Sequence, residues 1–263
     1  MMVFFFIPAG LSFFYAFTNA RGEFVRFHNF IDVFSNMAFR LALNNSLRFI
    51  AVVVPLNVII SFLLASIIQD LKYKKVYAVV FMLPLVIPSG AVVFFWNVLF
   101  ADNGAINSFL FQRGLNTVPW LSTGWSFTIV LVVFLFRNIG FNLVLFMAGL
   151  SFIPKDYYEV AKIEGAGVWA SFRHVTFVYI LSTTFLVIMM SIINSFRIFR
   201  EIYLLYGQYP QQSVYMLQHF MNNQFVFANM QRLSVTAIAL SFGVAVLAGG
   251  VFWGQRKVTN LFS

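Results

Sequence analysis

Residues 125–167 read WSFTIVLVVFLFRNIGFNLVLFMAGLSFIPKDYYEVAKIEGAG, and a change of character inside this stretch decides the fold. Residues 125–149 carry a single charge, Arg137. A run of about 20 mostly apolar residues is long enough to cross the hydrocarbon core as one helix. From Ser151 onward polarity rises sharply, yet the pattern stays helical. Asp156, followed three residues later by Glu159, has the spacing of an acidic capping box. Pro154 suits an entry turn, because proline disfavours helix for its predecessor. Gly165 and Gly167 suit a left-handed exit. The signals predict a polar helix of about ten residues, then a second short helical stretch, Val168 to His174, leading into the next apolar run. Val160 and Ile163, flanked by Tyr157 and Tyr158, leave that helix an apolar surface. Such a surface fits either a partner protein or the lipid headgroup layer.

The rest of the chain repeats the apolar theme. Hydrophobic residues make up 61% of the 263 residues and charged residues 10%, against about 45–50% and about 25% in a soluble domain. A single soluble core cannot absorb that excess. We expect an all-α membrane protein of one domain over residues 1–263, with six spans at roughly 1–19, 48–69, 76–100, 125–149, 175–196 and 233–254. The opening run, Met1 to Ile7, has no basic lead-in. It reads as a transmembrane helix lacking its cytoplasmic lead-in rather than as a signal peptide.

Lys and Arg in short loops set orientation. With both termini inside, Lys72, Lys74, Lys75, Lys155, Lys162 and Lys257 all fall on the cytoplasmic side. Arg21, Arg26, Arg40, Arg113, Arg197, Arg200 and Arg232 fall outside or near the outer ends, so the basic count alone is nearly even. The shorter inner loops favour N-in and C-in. The net charge of +9 then reflects topology and anionic headgroups, not nucleic acid.

Several chemistries are excluded. Cysteine is absent, which removes disulfides, thiolates and Cys-based metal sites. His28, His174 and His219 share no ligand spacing. No Ser/His, Asp/Asp or zinc constellation lies within the spans, so the chain is not expected to be an enzyme. No G-x-x-x-x-G-K-[ST] phosphate cradle is present. No Asp or Glu lies inside an expected span, which counts against an ion-coupled secondary transporter.

Within the spans, polar features are few. Pro84 and Pro88 predict a bent third span, and Pro55 a kink in the second. Arg137 costs roughly 2.5–3.5 kcal/mol to insert, so it should face protein or a wet cavity. With Asn138 and Asn142 it forms a candidate lining for a hydroxyl-rich solute; the alternative is an interhelical contact that fixes packing. Aromatics reach 19%, with 36 Phe. Phe also fills lipid-facing positions and cores, so no single Phe is assigned to a site. Tyr206, Gln208 and Tyr209 sit in an outer connection that could meet a partner or solute.

The segment Glu159-Val160-Ala161-Lys162-Ile163-Glu164-Gly165-Ala166 resembles the EAA loop of permease subunits in binding-protein-dependent ABC importers. Glu159, Ala161, Gly165 and Ala166 match that pattern. Glu164 stands for its Asp, Val160 for its first Ala, and Val178 for a later Pro. Phe141-Asn142, Ala148-Gly149-Leu150, Trp96, Gly104-Ala105-Ile106-Asn107, Tyr203 to Gly207 with Pro210, and Gln231 to Ser234 resemble other parts of the family in order, with a leaning to its carbohydrate-uptake branch. The resemblance implies the type I importer permease fold, with residues 154–174 as a cytoplasmic coupling segment between spans four and five. It implies that Glu159, Ala161, Glu164, Gly165 and Ala166 couple to a separate ATPase. It further implies a second, similar permease, two ATPase subunits that bind ATP and Mg, and an extracytoplasmic solute-binding protein. The solute would be a sugar or related polyol; an amino-acid-type permease is the nearest alternative.

Overall fold

The computed structural model describes residues 2–262. Met1, part of the expected first span, and Ser263 lie outside the described residues. Almost everything described is helix. In chain order the helices are α1 (Met2–Phe17), α2 (His28–Ser35), α3 (Met37–Ile68), α4 (Lys74–Val86), α5 (Ser89–Phe100), α6 (Ala105–Gln112) and α7 (Ser126–Ser151). There follow α8 (Lys155–Ile163), α9 (Val168–Ser171), a π-turn (Phe172–Thr176), α10 (Phe177–Arg197), α11 (Phe199–Tyr206), α12 (Leu217–Val226) and α13 (Met230–Phe262). Among the described residues the sole β pairing is an isolated bridge, Thr18 with Phe24.

Five helical stretches, Met37–Ile68, Ser89–Gln112, Ser126–Ser151, Val168–Tyr206 and Met230–Val258, are long and apolar enough to cross a membrane. The expected N-terminal span has a shorter apolar helix, Phe6–Phe17. The expected third span is divided. Ile87 is extended (ψ 130°) between α4 and α5, so Pro84 lies within α4 and Pro88 at the discontinuity. Proline at that point cannot donate to the preceding turn, and the two halves separate. Pro55 stays inside α3.

The chain gathers in two compact units: residues 1–49, 93–130 and 196–247, and residues 50–92, 131–195 and 248–263. In the first unit, Ala16, Val33, Phe39, Ala42, Leu217, Phe220 and Val235 make a buried cluster. The second expected span begins at residue 37 rather than 48 because its polar head is paired. Asn45 donates through Nδ2 to the Tyr215 carbonyl (2.9 Å), and Ser46 Oγ accepts the Leu217 N–H (2.9 Å), satisfying the open end of α12. Asn29 Nδ2 donates to the carbonyls of Ala16 (3.0 Å) and Thr18 (2.9 Å), closing the end of α1. Asp32 makes a two-pronged ion pair with Arg232 (2.7 and 3.1 Å), joining α2 to α13. That guanidinium holds the Asp32 carboxyl below the usual carboxylate range.

His219 on α12 has no exposed surface. Its Nδ1 accepts the Met216 N–H (3.2 Å), and its ring meets Phe199 edge-on at 4.7 Å. Burial pushes the imidazole down to about 4. The unfolded chain binds a proton near pH 6.5, whereas the folded chain does not until about pH 4. Stability from this group is therefore complete above pH 6.5 and is lost as pH falls toward 4. The linkage amounts to about 3 kcal/mol. Thermal unfolding in detergent should give a lower Tm at pH 5 than at pH 7.5, and His219→Phe should flatten that dependence.

In the second unit, Ala65, Ile68, Leu143, Phe146, Ile153, Val175, Ile180 and Val187 form the core. Two glycines let helices approach closely, one against backbone and one against a side chain. A Cβ at Gly140 of α7 would lie 1.8 Å from the Phe81 carbonyl oxygen of α4, and one at Gly149 would lie 2.5 Å from Thr183 Oγ1 of α10. Close approach through small residues is how helices associate where lipid removes the hydrophobic drive.

Candidate coupling site and polar residues of the spans

Helix α8 begins one residue after Pro154, whose extended conformation (ψ 137°) provides the entry. Asp156 lies in the first turn and Lys162 in the last, each favourable with the helix dipole. The expected capping box at Asp156 and Glu159 is not formed. The helix starts at Lys155, so Asp156 is already inside it, and no side chain caps that end.

The other end is fully capped. The Gly165 N–H donates to the Lys162 carbonyl (3.1 Å) and the Ala166 N–H to the Ala161 carbonyl (2.9 Å). That pair of bonds is a Schellman motif, which needs a left-handed residue between them. Gly165 supplies it at φ +81°. Gly167 does not share this role: it is extended (φ −70°, ψ 174°) and starts α9. Two cap bonds close the end at Glu164, so a second left-handed residue is not required.

One face of α8 is anchored. Tyr158 and Ala161 pack on the core of the second unit, and Tyr158 Oη pairs with Thr176 Oγ1 of the π-turn at 2.9 Å. The other face is bare. Ile163 is 85% exposed, with Tyr157 and Val160 about half exposed, and in α9 Val168 is 90% and Trp169 72% exposed. Glu159, Glu164 and Gly165 are exposed, and Ala161 and Ala166 half-buried. The five residues expected to couple are thus brought together on one short, pinned helix and its cap. The sequence reading set Tyr158 beside the apolar surface of this helix, whereas it faces inward; Thr176 of the π-turn and the exposed Trp169 of α9 escaped that reading. Tyr158 sits at the i−3 position from Ala161, a spacing that could have revealed the inward face.

The polar residues of span four part company. Arg137 Nη1 donates to Ser89 Oγ (2.6 Å), the first residue of α5, at the discontinuity of the third span. Asn138 Nδ2 donates to the Phe134 carbonyl of its own helix (2.8 Å). Asn142 is fully buried, and its Nδ2 donates to Ser191 Oγ of α10 (3.0 Å). Asn57 of α3 donates to the same oxygen (3.1 Å), and Ser61 Oγ lies 3.4 Å from Asn57 Oδ1. At Asn142 the geometry is that of an interhelical packing knot. Asn57, Ser61 and Ser191 belong to it and went unremarked in the sequence, although polar residues inside apolar spans are its usual signal. Ser191→Ala strands two buried amide donors and should cost about 1–2 kcal/mol, read as a lower Tm in detergent.

Fold and site together define a multi-span membrane protein, with a short capped helix held out between two of its spans. Over residues 58–258 the sequence matches the family described as the binding-protein-dependent transport system inner membrane component. The chain belongs to this family. It is 26% identical to the probable ABC transporter permease protein YurN of Bacillus subtilis, over 75% of this chain and 70% of that one. It is 26% identical to the lactose transport system permease protein LacF of Rhizobium radiobacter (70% and 64%). It is 32% identical to the arabinooligosaccharides transport system permease protein AraP of Halalkalibacterium halodurans (63% and 54%). This chain therefore spans 64% and 54% of the latter two relatives' own lengths. Its fold is that of a chain in a bacterial ABC transporter that imports the acidic polysaccharide alginate, with TM-score 0.85 at 19% identity, covering 98% of this chain and 92% of that one.

Proposed function

We propose that this chain is a permease subunit of an ATP-driven importer, forming half of the pathway for a sugar or related polyol. It would sit in the cell membrane with both termini inside, so that α8 faces the cytoplasm. What carries the reading is α8 itself: a helix capped by Gly165, pinned through Tyr158, and left with a bare apolar face flanked by Glu159 and Glu164. A docked ATPase subunit would cover that face. A capped, pinned helix can transmit a push to α10 through the π-turn, whereas a loose loop would dissipate it.

ATP and Mg would be bound by two ATPase subunits, since this sequence holds no phosphate cradle. A second, similar permease would complete the pathway, and an extracytoplasmic protein would deliver the solute. The relatives that carry lactose and arabinooligosaccharides support the sugar class. The alginate transporter solved with a pentasaccharide-bound periplasmic protein supports the delivery partner. Arg137 and Asn138 remain the candidates for the pathway, while the bonding of Asn142 suits a packing role.

Reconstitution tests the reading. Vesicles holding both permeases and the ATPase should accumulate sugar only with ATP inside and binding protein outside. Leaving out the ATPase should abolish uptake. Ion-driven uptake by this chain alone would contradict the proposal.

A further inference from the structure

The connection between α5 and α7 is built more carefully than a plain loop. Asn107 of α6 is 2% exposed and organises it from within. Its Nδ2 donates to the carbonyls of Val118 (2.8 Å) and Asp102 (3.1 Å). Its Oδ1 accepts the Val118 N–H (2.9 Å) and the Trp120 indole N–H (3.1 Å). One buried amide thus fixes both the backbone at Val118 and the ring of Trp120. Trp120 in turn meets Trp125 edge-on at 5.5 Å and Phe100 at 6.0 Å. The result is a rigid aromatic wall. Beside it lies an open, shallow cavity of about 450 Å³ lined by Val118, Thr123, Gly124, Trp125 and Thr128. Trp125 is 50% exposed. Thr123 Oγ1 spends its proton on the Pro119 carbonyl (2.9 Å) and keeps its lone pairs, and Thr128 is exposed.

A large exposed ring with hydroxyls on its flanks is a poor seat for an acyl chain, which gains nothing from the hydroxyls. It is a good seat for a sugar, which offers an apolar C–H face and a polar rim. We propose that this cavity is a sugar subsite, with Trp125 stacking on one sugar residue and Thr123 and Thr128 bonding its hydroxyls. This rests on the sugar reading of the function. In the proposed topology the chain enters the span Ser126–Ser151 from the connection after α5 and leaves it toward α8, so with α8 cytoplasmic that connection belongs to the side where solute arrives. Asn107 is a positioning residue: it holds the wall ready before the sugar comes, which lowers the ordering cost of binding.

The test uses the whole reconstituted transporter with its binding protein, and graded lactose, arabinotriose and glutamine as probes. Membrane levels of each variant are matched by immunoblot. With a sugar taken up by the natural chain, Trp125→Ala should raise the KM for that sugar about tenfold. Trp125→Phe, which keeps an aromatic face, should stay within about threefold. Thr128→Val, at an exposed position, should also raise KM. Unchanged KM in both Trp125→Ala and Thr128→Val would overturn the subsite and leave the sugar reading standing. Uptake of glutamine with neither sugar would overturn the sugar reading itself, and the subsite with it.

Discussion

Gly165→Asp is expected to reach the membrane at the natural level and to transport at less than about one tenth of the natural rate. The reasons are local. Gly165 holds φ +81°, a conformation that costs an ordinary residue about 1–2 kcal/mol. Relaxing it breaks the two bonds that end α8, and the last turn frays. A Cβ there meets nothing within 4 Å, so folding of the rest is spared. The same open space is where a docked ATPase would lie, and a new carboxylate would intrude on it. Gly165→Asn isolates the backbone part, because Asn tolerates the left-handed region better than other side chains. It should transport better than Gly165→Ala. Glu159→Lys reverses an exposed charge on α8 and should also uncouple without loss of protein. Uptake and ATP hydrolysis, measured in vesicles at matched permease levels, read all four variants.

The second large effect is on the fold. Gly140→Val should sharply reduce the chain recovered from membranes. A Cβ at that position would overlap the Phe81 carbonyl (1.8 Å to O, 2.3 Å to C) and crowd the Met82 nitrogen at 2.9 Å. These are backbone atoms, so no rotamer change relieves the clash, and α7 would have to move off α4. Overpacking of this kind costs typically about 1–3 kcal/mol, occasionally more. Gly149 provides the contrast. Its obstacle is the Thr183 side chain, with Oγ1 at 2.5 Å, which Thr183→Ala removes. Gly149→Ala should therefore be rescued by Thr183→Ala, whereas no single second change should rescue Gly140→Val. Yield and Tm in detergent decide both.

How much of this the sequence discloses depends on whether a feature is local. Span four and the polar helix after it are local, set by hydropathy and by Gly165, and they are found within a residue or two. The head of α3 is not local: Asn45 and Ser46 look too polar for a span until the carbonyl of Tyr215 and the amide of Leu217 are brought to them. The start of α8 goes wrong for a related reason. An acidic pair at capping-box spacing competes with Pro154, and the proline wins because its fixed φ already suits the residue before a helix. Pro88 signals a bend; that the third span parts at Ile87, with Arg137 bonded to Ser89 beside the gap, requires the neighbouring helix. At Asn142 the sequence leaves lining and packing both open, and only the position of Ser191 distinguishes them. The coupling residues are the reverse case. Their kind and order stand out in the sequence, while the reason for Gly165 and Ala166, a two-bond helix cap, emerges only from the backbone.

The absence of cysteine makes the decisive measurement simple. Ile163→Cys places a lone thiol at the most exposed of the large apolar residues of α8. In whole cells it should resist a membrane-impermeant maleimide added outside. In the assembled transporter it should form a disulfide with a cysteine placed on the ATPase surface. A thiol labelled from outside, or one reached only by a lipid-soluble reagent and never by the ATPase, would mean that α8 is not the handle through which the motor acts.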